Sequence, residues 1–508
     1  MKIINANDAA GLIQDSWRVI IGGFGCCGSP DTLIEALSDR FEKSGNPRDL
    51  RLLFASGVGD RAGKGLDRLA RTGLISEVVG GFWGFCPRLT SMARDGLIDG
   101  HNWPQGIISK LFSAIGAGEA QLTSKIGLGT FIDPRIEGGV IGSRSLSLVT
   151  VIDQGMGEQL SFPALPPDCC LLRGTSSDRR GNISMARETS WMDANAQAIA
   201  VKNRGGIVIV QVEEVVDKHL NLADVRISGM LVDYVVLSTC GHPATYGKPA
   251  DTRFSQTGNS GDVSILDEET QDTAKKIIVK RAFEELKKYR DAHINLGIGI
   301  PAMLGAYAKS KGFDSIWLTI ESGVVGGIPE DDLAFGASVY PDAIMEQSTL
   351  FDFYHGGGIE AAFLGFGEID VAGNVNVSRF GERLPGAGGF VNISQSARNI
   401  VFCGTLSTKG LLVEEEPRGV RIVQEGKIVK LVTQVEQITF SAERAKAMGQ
   451  NVLYICERAV FQLGAKGIEL VDCHPGITPE DVWSLLPSHH SDDAMNNHRT
   501  IKASGLTL

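Results

Sequence analysis

Short apolar runs rich in β-branched residues alternate along the chain with stretches of helical periodicity. Gly206–Val212 is one such run, and Asp31–Phe41 carries its apolar residues at the spacing of an amphipathic helix. Strands that are apolar on both faces need cover on both faces, so the alternation predicts sheets flanked by helices. The pattern therefore predicts an α/β fold.

The same features occur twice in the same order. In each half an apolar strand runs into glycines, a second strand ends in Ser-Gly-Val, and an aspartate precedes a Gly-Asn turn. The segments are Ile20–Gly25, Leu50–Gly59 and Asp178–Ser184, then Ile294–Pro301, Ile316–Pro329 and Asp370–Asn376. An ordered repeat of this kind predicts two related domains in one chain.

A polar stretch with little periodicity separates the two copies. We place the first domain at residues 1–246, a linker at 247–262 and the second domain at 263–508, which a 508-residue chain readily accommodates. Apolar residues at helical spacing predict that an amphipathic helix over Glu268–Tyr289 opens the second domain.

The two copies differ at a position with chemical consequences. Glu321 follows the apolar run Ile316–Ile320 and precedes Ser-Gly, whereas the first copy has Ala55 at the matching place. A carboxylate leaving a buried strand is poorly solvated, and neighbouring glycines let a substrate approach closely, so Glu321 is a candidate nucleophile. The alternative is that Glu321 merely ends a strand and meets water.

The first glycine cluster, Gly23–Gly28, has the G-x-G-x-x-G spacing of a dinucleotide-binding loop. The next strand ends in Ala55-Ser56-Gly57 and lacks the acidic residue that would hold a ribose. Ser29 as N-cap and Pro30 as first helical residue give the glycines a structural explanation. We therefore favour a turn before a helix over a nucleotide site.

Charge and composition exclude several classes of protein. A net charge of −11 with no basic block argues against a nucleic-acid partner, although small anions remain possible. No apolar run reaches the ~18 residues that would span a bilayer, and no signal segment is evident, so we expect a soluble, cytoplasmic protein. The nine cysteines lack ligand spacing, so neither a zinc site nor a disulfide framework is expected.

Several separated motifs together carry a family resemblance that extends from about residue 18 to residue 476. The chain resembles the family I CoA-transferases, most closely the fused, single-chain branch that includes acetate/propionate and acyl-CoA:acetate/3-ketoacid CoA-transferases. The motifs are Gly22–Gly25 with Cys27, Gly28 and Pro30, then Gly127–Arg135, Asn295–Pro301, Glu321–Gly323, Gly386–Phe390 and Glu457–Phe461.

The resemblance implies a ping-pong reaction on Glu321. The carboxylate would attack a short-chain acyl-CoA, pass through an acyl-glutamyl anhydride, hold CoA as a glutamyl-CoA thioester and deliver it to a carboxylic acid acceptor. Exchange of one thioester for another implies no cofactor beyond coenzyme A as substrate, and no metal. Related proteins of this kind suggest a homo-oligomer, a dimer or tetramer.

The resemblance also implies an active site between the two domains. Gln105 would donate a hydrogen bond to the developing oxyanion, and the backbone of Gly388 and Gly389, with Gly297 and Gly299, would contact coenzyme A. The alternatives are that Gln105 is an ordinary turn residue and that the glycines only make bends.

Other polar residues lie near the motif segments and would either line an acyl pocket or satisfy backbone groups, which we favour. They are Asn295, Glu346, Gln347, His355 and Asn374. Two further functions stay open, an acyl-CoA hydrolase on the same fold and a non-catalytic acyl-CoA-binding module.

Overall fold

The structure is a computed structural model of the chain, and it describes residues 1–155, 157–258, 272–417 and 419–486. These residues form two compact units. The first comprises the described residues up to 258 together with Ile320–Phe353 and Gly381–Asn392. The second comprises the described residues from 272 to Thr319, Tyr354–Phe380 and those from Ile393 to 486.

The first unit is built on a nine-stranded sheet. Neighbouring strands are parallel except at one edge, where the last strand is antiparallel. In spatial order the strands are Lys2–Ile4, Tyr234–Leu237, Ile207–Val212, Cys169–Arg173, Arg18–Ile21, Leu50–Ser56, Ile75–Phe82, Asp99–Asn102 and Val140–Ile141.

Alternate residues of these strands enter two separate hydrophobic clusters. Ile20 and Leu53 pack on one face with residues of the helix that contains Ile107. Val19 and Leu52 pack on the other face with the helix Asp31–Ser44. Because side chains alternate along a strand, apolar residues at every position require cover on both faces, and the prediction of a doubly covered sheet is confirmed here.

The second unit contains its own sheet, which begins with parallel strands and ends with an antiparallel hairpin. In spatial order its strands are Ile316–Ile320, Ala292–Leu296, Ala361–Gly365, Asn399–Cys403, Asn451–Ile455, Ala459–Leu463 and Ile468–Cys473. Leu318, Ile294 and Phe363 pack with the helix Thr273–Leu286 in one apolar cluster.

The predicted internal repeat is confirmed by strand order. In each sheet five neighbouring strands, numbered by their order along the chain, lie in the spatial order 2-1-3-4-5, starting from Leu50–Ser56 in one and from Ile316–Ile320 in the other; further strands intervene in the sequence between the second and the third. The polar turns repeat as well. The Asp178 carboxylate accepts hydrogen bonds from the backbone and side chain of Asn182, and Asp370 accepts the same pair from Asn374.

Smaller sheets complete the two units. In the first they are Ser176–Asp178, Ile183–Ser184, Glu214–Val216 and Val225–Ile227; Gln121–Ser124, Thr150–Asp153 and Glu158–Pro163; and Ile328–Pro329 with Ser338–Val339. In the second they are Glu368–Asp370, Val375–Asn376 and Leu431–Val432; Ser407–Thr408 with Ile428–Val429; and Leu412–Glu416 with Gly419–Gln424. The strand Val324–Val325 pairs antiparallel with Ala343–Ile344.

Helices connect the strands throughout the described chain. In chain order the α-helices are Ala6–Leu12, Asp31–Ser44, Pro87–Arg94, Gln105–Ala117, Ala194–Lys202, Thr273–Leu286, Ile300–Ser310, Gln347–His355, Phe390–Ser396, Ala442–Ala447 and Pro479–Trp483. The predicted helix Glu268–Tyr289 corresponds to Thr273–Leu286, and its predicted start lies outside the described residues.

The prediction that Ser29 caps the helix Asp31–Ser44 is wrong. Pro30 occupies the N-cap position, and the Ser29 hydroxyl instead donates to the Asp31 carboxylate at 3.0 Å. The Thr32 N–H donates to the side-chain oxygen of Gln211 at 2.9 Å. A long-range partner therefore replaces the local cap.

Each compact unit is made of several separate segments of the chain, so no single boundary in the sequence divides the two units. Ile320, Val324 and Phe335 come from the C-terminal half, yet they join the apolar cluster of the first sheet. Burial of these side chains places Glu321 in the first unit. The boundary over residues 247–262 concerns the repeated halves and stays a prediction, because residues 259–262 lie outside the described chain.

Candidate active site

Glu321 lies in a tight turn directly after the strand Ile316–Ile320. The Gly323 N–H donates to the Ile320 carbonyl at 3.0 Å and closes the turn. The glutamate is only 9% exposed, and its Oε2 has no hydrogen-bond partner among the described residues. Burial raises the pKa of its carboxyl to about 7. The carboxylate is therefore poorly solvated, as an apolar strand ahead of it predicts.

The backbone of the turn requires glycine at position 323. Gly323 has φ of +106°, and a Cβ at this position would lie 2.1 Å from the Met345 carbonyl oxygen. The Met345 N–H in turn donates to the Gly323 carbonyl at 2.8 Å. The close approach of these two segments fixes the course of the chain after Glu321.

Two serine contacts hold the same turn from the side. The Ser322 hydroxyl donates to the Gly336 carbonyl at 2.7 Å. The Ser190 hydroxyl donates to the Ser322 carbonyl, and it also accepts a hydrogen bond from the Met192 N–H at 3.1 Å. The turn that carries Glu321 is thus connected to a segment from the first half of the sequence.

Gln105 begins the helix Gln105–Ala117, directly after Pro104, which sets the entry into the helix. The side chain is buried, with 1% exposed. Its backbone N–H donates to the Gly388 carbonyl at 2.9 Å. A Cβ on Gly81 would lie 2.8 Å from the Gln105 Cα, so a glycine is needed for this packing.

The glycine loop Gly386–Gly389 is held by the residues around Gln105. The Gly388 N–H donates to the Gly81 carbonyl and the Ala387 N–H to the Asn102 side-chain oxygen, both at 2.9 Å. For the Gly389 N–H no acceptor is found in the described part of the chain. Of the two glycines predicted here, Gly389 alone therefore keeps its amide available to a ligand.

The Gln105 side chain enters a buried network of polar groups. Its Nε2 donates to Gln347 Oε1 at 3.2 Å. Gln347 Nε2 donates to Asp193 Oδ2 at 2.6 Å and to Ser109 Oγ at 3.0 Å. Ser109 donates to Asp193 Oδ1 at 2.5 Å, and burial raises the pKa of the Asp193 carboxyl to about 7.

Sequence reasoning missed Ser109 and Asp193. Asp193 stands at the N-cap of the helix Ala194–Lys202, where an aspartate is ordinarily a local cap. Its side chain makes no cap hydrogen bond and instead accepts from Ser109, Gln347 and the Ser348 N–H. Only the fold reveals these partners, since they lie far apart in the sequence.

Gly297 and Gly299 belong to the second unit. They follow the strand Ala292–Leu296 and precede the helix Ile300–Ser310. Gly299 has φ of +83° and open space where a Cβ would stand. In a sheet of order 2-1-3-4-5, the carboxyl end of this first strand lies at the switch point, where ligands of open α/β sheets bind.

Of the remaining polar residues, Asn374 and Asn295 donate hydrogen bonds to protein groups. Asn374 donates to Asp370 and accepts from the Ala442 N–H at 2.9 Å. Asn295 donates to the Thr319 carbonyl at 3.2 Å. Glu346 is largely buried, which raises its pKa, and the charge of Arg226 opposes that rise. His355 ends the helix that Gln347 begins.

Within the described ranges, no helix combines the length and the apolar character needed to cross a bilayer.

The Cys26 and Cys27 thiols of the first glycine cluster are buried, and burial raises the pKa of Cys27 to about 11. Thiols of this kind are inert, so the pair is structural.

Comparisons with known proteins agree with this architecture. The family described as Coenzyme A transferase matches residues 3–238. Acetate CoA-transferase YdiF of Escherichia coli K12 is 37% identical, over 94% of this chain and 90% of that protein. Caffeate CoA-transferase of Acetobacterium woodii is 37% identical, over 94% and 92%. A crystal structure of YdiF from E. coli O157:H7, as a thioester complex with CoA, superposes with a TM-score of 0.88 at 35% identity, covering 96% of this chain and 92% of that one.

A duplicated α/β fold that places a buried carboxylate on a glycine turn has the kind of group that a nucleophilic enzyme requires. The sequence identity of 37% to the two relatives, over 94% of this chain, identifies the family. The chain belongs to the coenzyme A transferase family, in its fused single-chain form, and is an enzyme of the CoA-transferase type.

Proposed function

We propose that the protein transfers CoA from a short-chain acyl-CoA to a carboxylic acid acceptor by a ping-pong reaction on Glu321. The observation that carries the proposal is the buried Glu321 carboxylate, whose Oε2 has no partner within the described chain. A buried carboxylate oxygen that accepts no hydrogen bond is a stronger nucleophile than a solvated one. The thioester complex of the YdiF relative supports the same chemistry.

The reaction balances without an added oxidant, reductant or activating nucleotide. A Glu321 oxygen bonds to the thioester carbonyl carbon, and the C–S bond breaks to give an acyl-glutamyl anhydride and CoA thiolate. The thiolate then attacks the glutamyl carbonyl, which forms the glutamyl-CoA thioester and releases the donor acid. The acceptor carboxylate repeats these steps in reverse. Coenzyme A is thus a substrate, and the proposal includes no other cofactor.

Each attack places negative charge on a carbonyl oxygen, so the site needs hydrogen-bond donors directed at it. Gln105 Nε2 has a second hydrogen that no described residue accepts, and the Gly389 N–H is likewise available. We assign these two groups to the oxyanion. Gly388 has a different role, because its N–H and carbonyl both bind protein atoms and hold the loop against Gln105.

Gly297 and Gly299 are assigned to coenzyme A contacts within the second unit, on the strength of their place at the switch point of that sheet. Glycines before a helix let an anionic ligand approach the backbone closely, because no side chain stands in the way. Assembly into a homo-oligomer stays a prediction.

Mass spectrometry tests the covalent intermediate. The wild-type protein mixed with acetyl-CoA, and then with a panel of short-chain acyl-CoAs, should gain a CoA adduct on the peptide that contains Glu321. Glu321→Gln keeps the shape of the side chain and should gain none. An adduct on another peptide, or an equal adduct in the glutamine variant, contradicts the assignment.

An acceptor series separates transfer from hydrolysis. Acyl-CoA consumption by a transferase should depend on the concentration of added acetate, and parallel double-reciprocal lines should show the ping-pong order. Free CoA released at the same rate without any acid would instead indicate an acyl-CoA hydrolase. Gln105→Ala should lower kcat by ~10²–10³, the usual effect of losing one oxyanion donor.

A further inference from the structure

The orientation of the Gln105 amide is dictated by a carboxylate that is not its neighbour. Asp193 is buried and ends a chain of hydrogen bonds that runs through Gln347 to Gln105. Both Asp193 oxygens accept: Oδ1 from Ser109 and from the Ser348 N–H, and Oδ2 from Gln347 Nε2. Above its pKa of about 7 the Asp193 carboxyl is ionised and offers acceptors only, so its partners must then all present donors.

This requirement fixes which end of the Gln347 amide faces which way. If Gln347 were reversed, its Oε1 would face Asp193 Oδ2 at 2.6 Å, acceptor against acceptor. Both Nε2 hydrogens are therefore used on Asp193 and Ser109, and only Oε1 remains for Gln105. Gln105 must therefore donate one Nε2 hydrogen to Gln347 Oε1. Its second Nε2 hydrogen then points in a defined direction.

We infer that Asp193 is a positioning residue for the reaction, which acts through Gln347 to hold the Gln105 amide with its second Nε2 hydrogen toward the oxyanion. The inference rests on the proposed role of Gln105. Burial makes the constraint strong, because water cannot satisfy a donor or acceptor of this network that is left unpaired. An exposed chain of hydrogen bonds would instead exchange freely with water.

Asp193→Asn changes the side-chain volume very little, but it should reverse the direction of the hydrogen bonds from Asp193 through Gln347 to Gln105, which we call the relay. The Ser348 N–H keeps the new side-chain oxygen at the Oδ1 position, so the new NH₂ group faces Gln347 Nε2, donor against donor. Gln347 turns its oxygen toward that NH₂ group, and its Nε2 then displaces the Nε2 of Gln105. Measured at about pH 8.5, where wild-type Asp193 is ionised, the variant should lose at least ~10-fold in kcat, up to the ~10²–10³ expected for loss of one oxyanion donor, with little change in KM.

Asp178→Asn is the matched control. Asp178 is also buried, and it accepts two backbone N–H groups on Oδ1 and a side-chain amide on Oδ2, none of them from a residue assigned to the proposed site. Neutralising it should leave kcat per folded protein within about 2-fold of wild type, the scatter expected of independent sites. Loss of kcat in both variants alike would mark a general effect of removing a buried charge and overturn the inference.

A double-mutant cycle separates this inference from the function it rests on. If Asp193 acts through Gln105, adding Asp193→Asn to Gln105→Ala should change kcat by less than about 2-fold, whereas independent effects would multiply. Full activity of Gln105→Ala would refute the oxyanion role itself. A slow Gln105→Ala with a wild-type rate in Asp193→Asn would refute the relay and leave the proposed function standing.

Discussion

The Ser190 hydroxyl donates a hydrogen bond to the carbonyl oxygen of Ser322, the residue that follows Glu321. Ser190 comes from the first half of the sequence and Ser322 from the second, and both lie in the first compact unit. Two positions farther on, the Met192 carbonyl accepts the Gln347 N–H at 2.8 Å, and Asp193 accepts the Gln347 side chain. One short segment, Ser190–Asp193, therefore supports both the turn of the nucleophile and the amide of Gln105.

Ser190→Ala should loosen the turn that carries Glu321. The substitution leaves the Ser322 carbonyl without this donor and the Met192 N–H without its acceptor, a loss of about 1–3 kcal/mol. We expect a lower melting temperature and a slower burst of CoA adduct on Glu321. Ser38→Ala also removes a buried hydroxyl-to-carbonyl contact, to Arg68, and should lower stability while the burst rate stays unchanged. Equal burst rates in wild type and Ser190→Ala would contradict the supporting role.

The pH dependence of the reaction should report the buried carboxyl. The carboxylate form of Glu321 attacks, and burial raises its pKa to about 7, so its active fraction falls as pH drops below about 7. The acid limb of kcat/KM for the acyl-CoA belongs to the free enzyme and should have its midpoint there, both in wild type and in Asp193→Asn, which lacks the other buried carboxyl of that pKa. Rates across pH 5–9 at constant ionic strength provide the measurement. If kcat/KM did not change down to pH 5, the nucleophile would not be a carboxyl with a raised pKa.

Glu321→Gln should stabilise the protein at high pH. Below about pH 4.5 the carboxyl is protonated in both folded and unfolded states, so its burial costs little through ionisation. Between about 4.5 and 7 the unfolded state ionises first, and the folded state loses stability as pH rises; above 7 the cost is constant. The rise in the pKa of Glu321 from 4.5 to about 7 corresponds to a loss of on the order of 3 kcal/mol in the free energy of unfolding. Melting temperatures of the two proteins should diverge between pH 5 and 8, and parallel curves would contradict the burial cost.

How far the sequence alone leads can be seen at individual residues. Glu321 was predictable because the repeat aligns it with Ala55, and an apolar strand that ends in a turn leaves a carboxylate poorly solvated. Asp193 was not predictable, since its three partners come from distant segments and its position resembles an ordinary helix cap. The roles of the loop glycines also depended on tertiary contacts, because Gly388 uses its N–H on Gly81.

Local rules failed where a long-range partner was available. Ser29 has the identity and position of a helix N-cap, yet Gln211 from a distant strand satisfies the Thr32 N–H. The grouping of Ile320–Phe353 with the first unit was likewise invisible in the repeat, since it depends on apolar packing of Ile320 and Val324. A sequence repeat shows which segments are related to each other. The compact units depend instead on which side chains pack together.

Gly323→Ala should disable the enzyme by moving the nucleophile's turn. The new Cβ would lie 2.1 Å from the Met345 carbonyl oxygen, which is backbone and has little freedom to withdraw, and φ of +106° is strained for alanine. Gly205→Ala is the matched control, because Gly205 also has a positive φ, +77°, but no atom lies within 4 Å of the added Cβ. The control should lose only about 1–2 kcal/mol from the backbone conformation and retain CoA adduct formation on Glu321. Gly323→Ala should lose more stability and form the adduct at least ~10²-fold more slowly, since a displacement of about 1 Å at a reacting group costs that much. If both variants form the adduct at the wild-type rate, the turn geometry at Gly323 does not position Glu321.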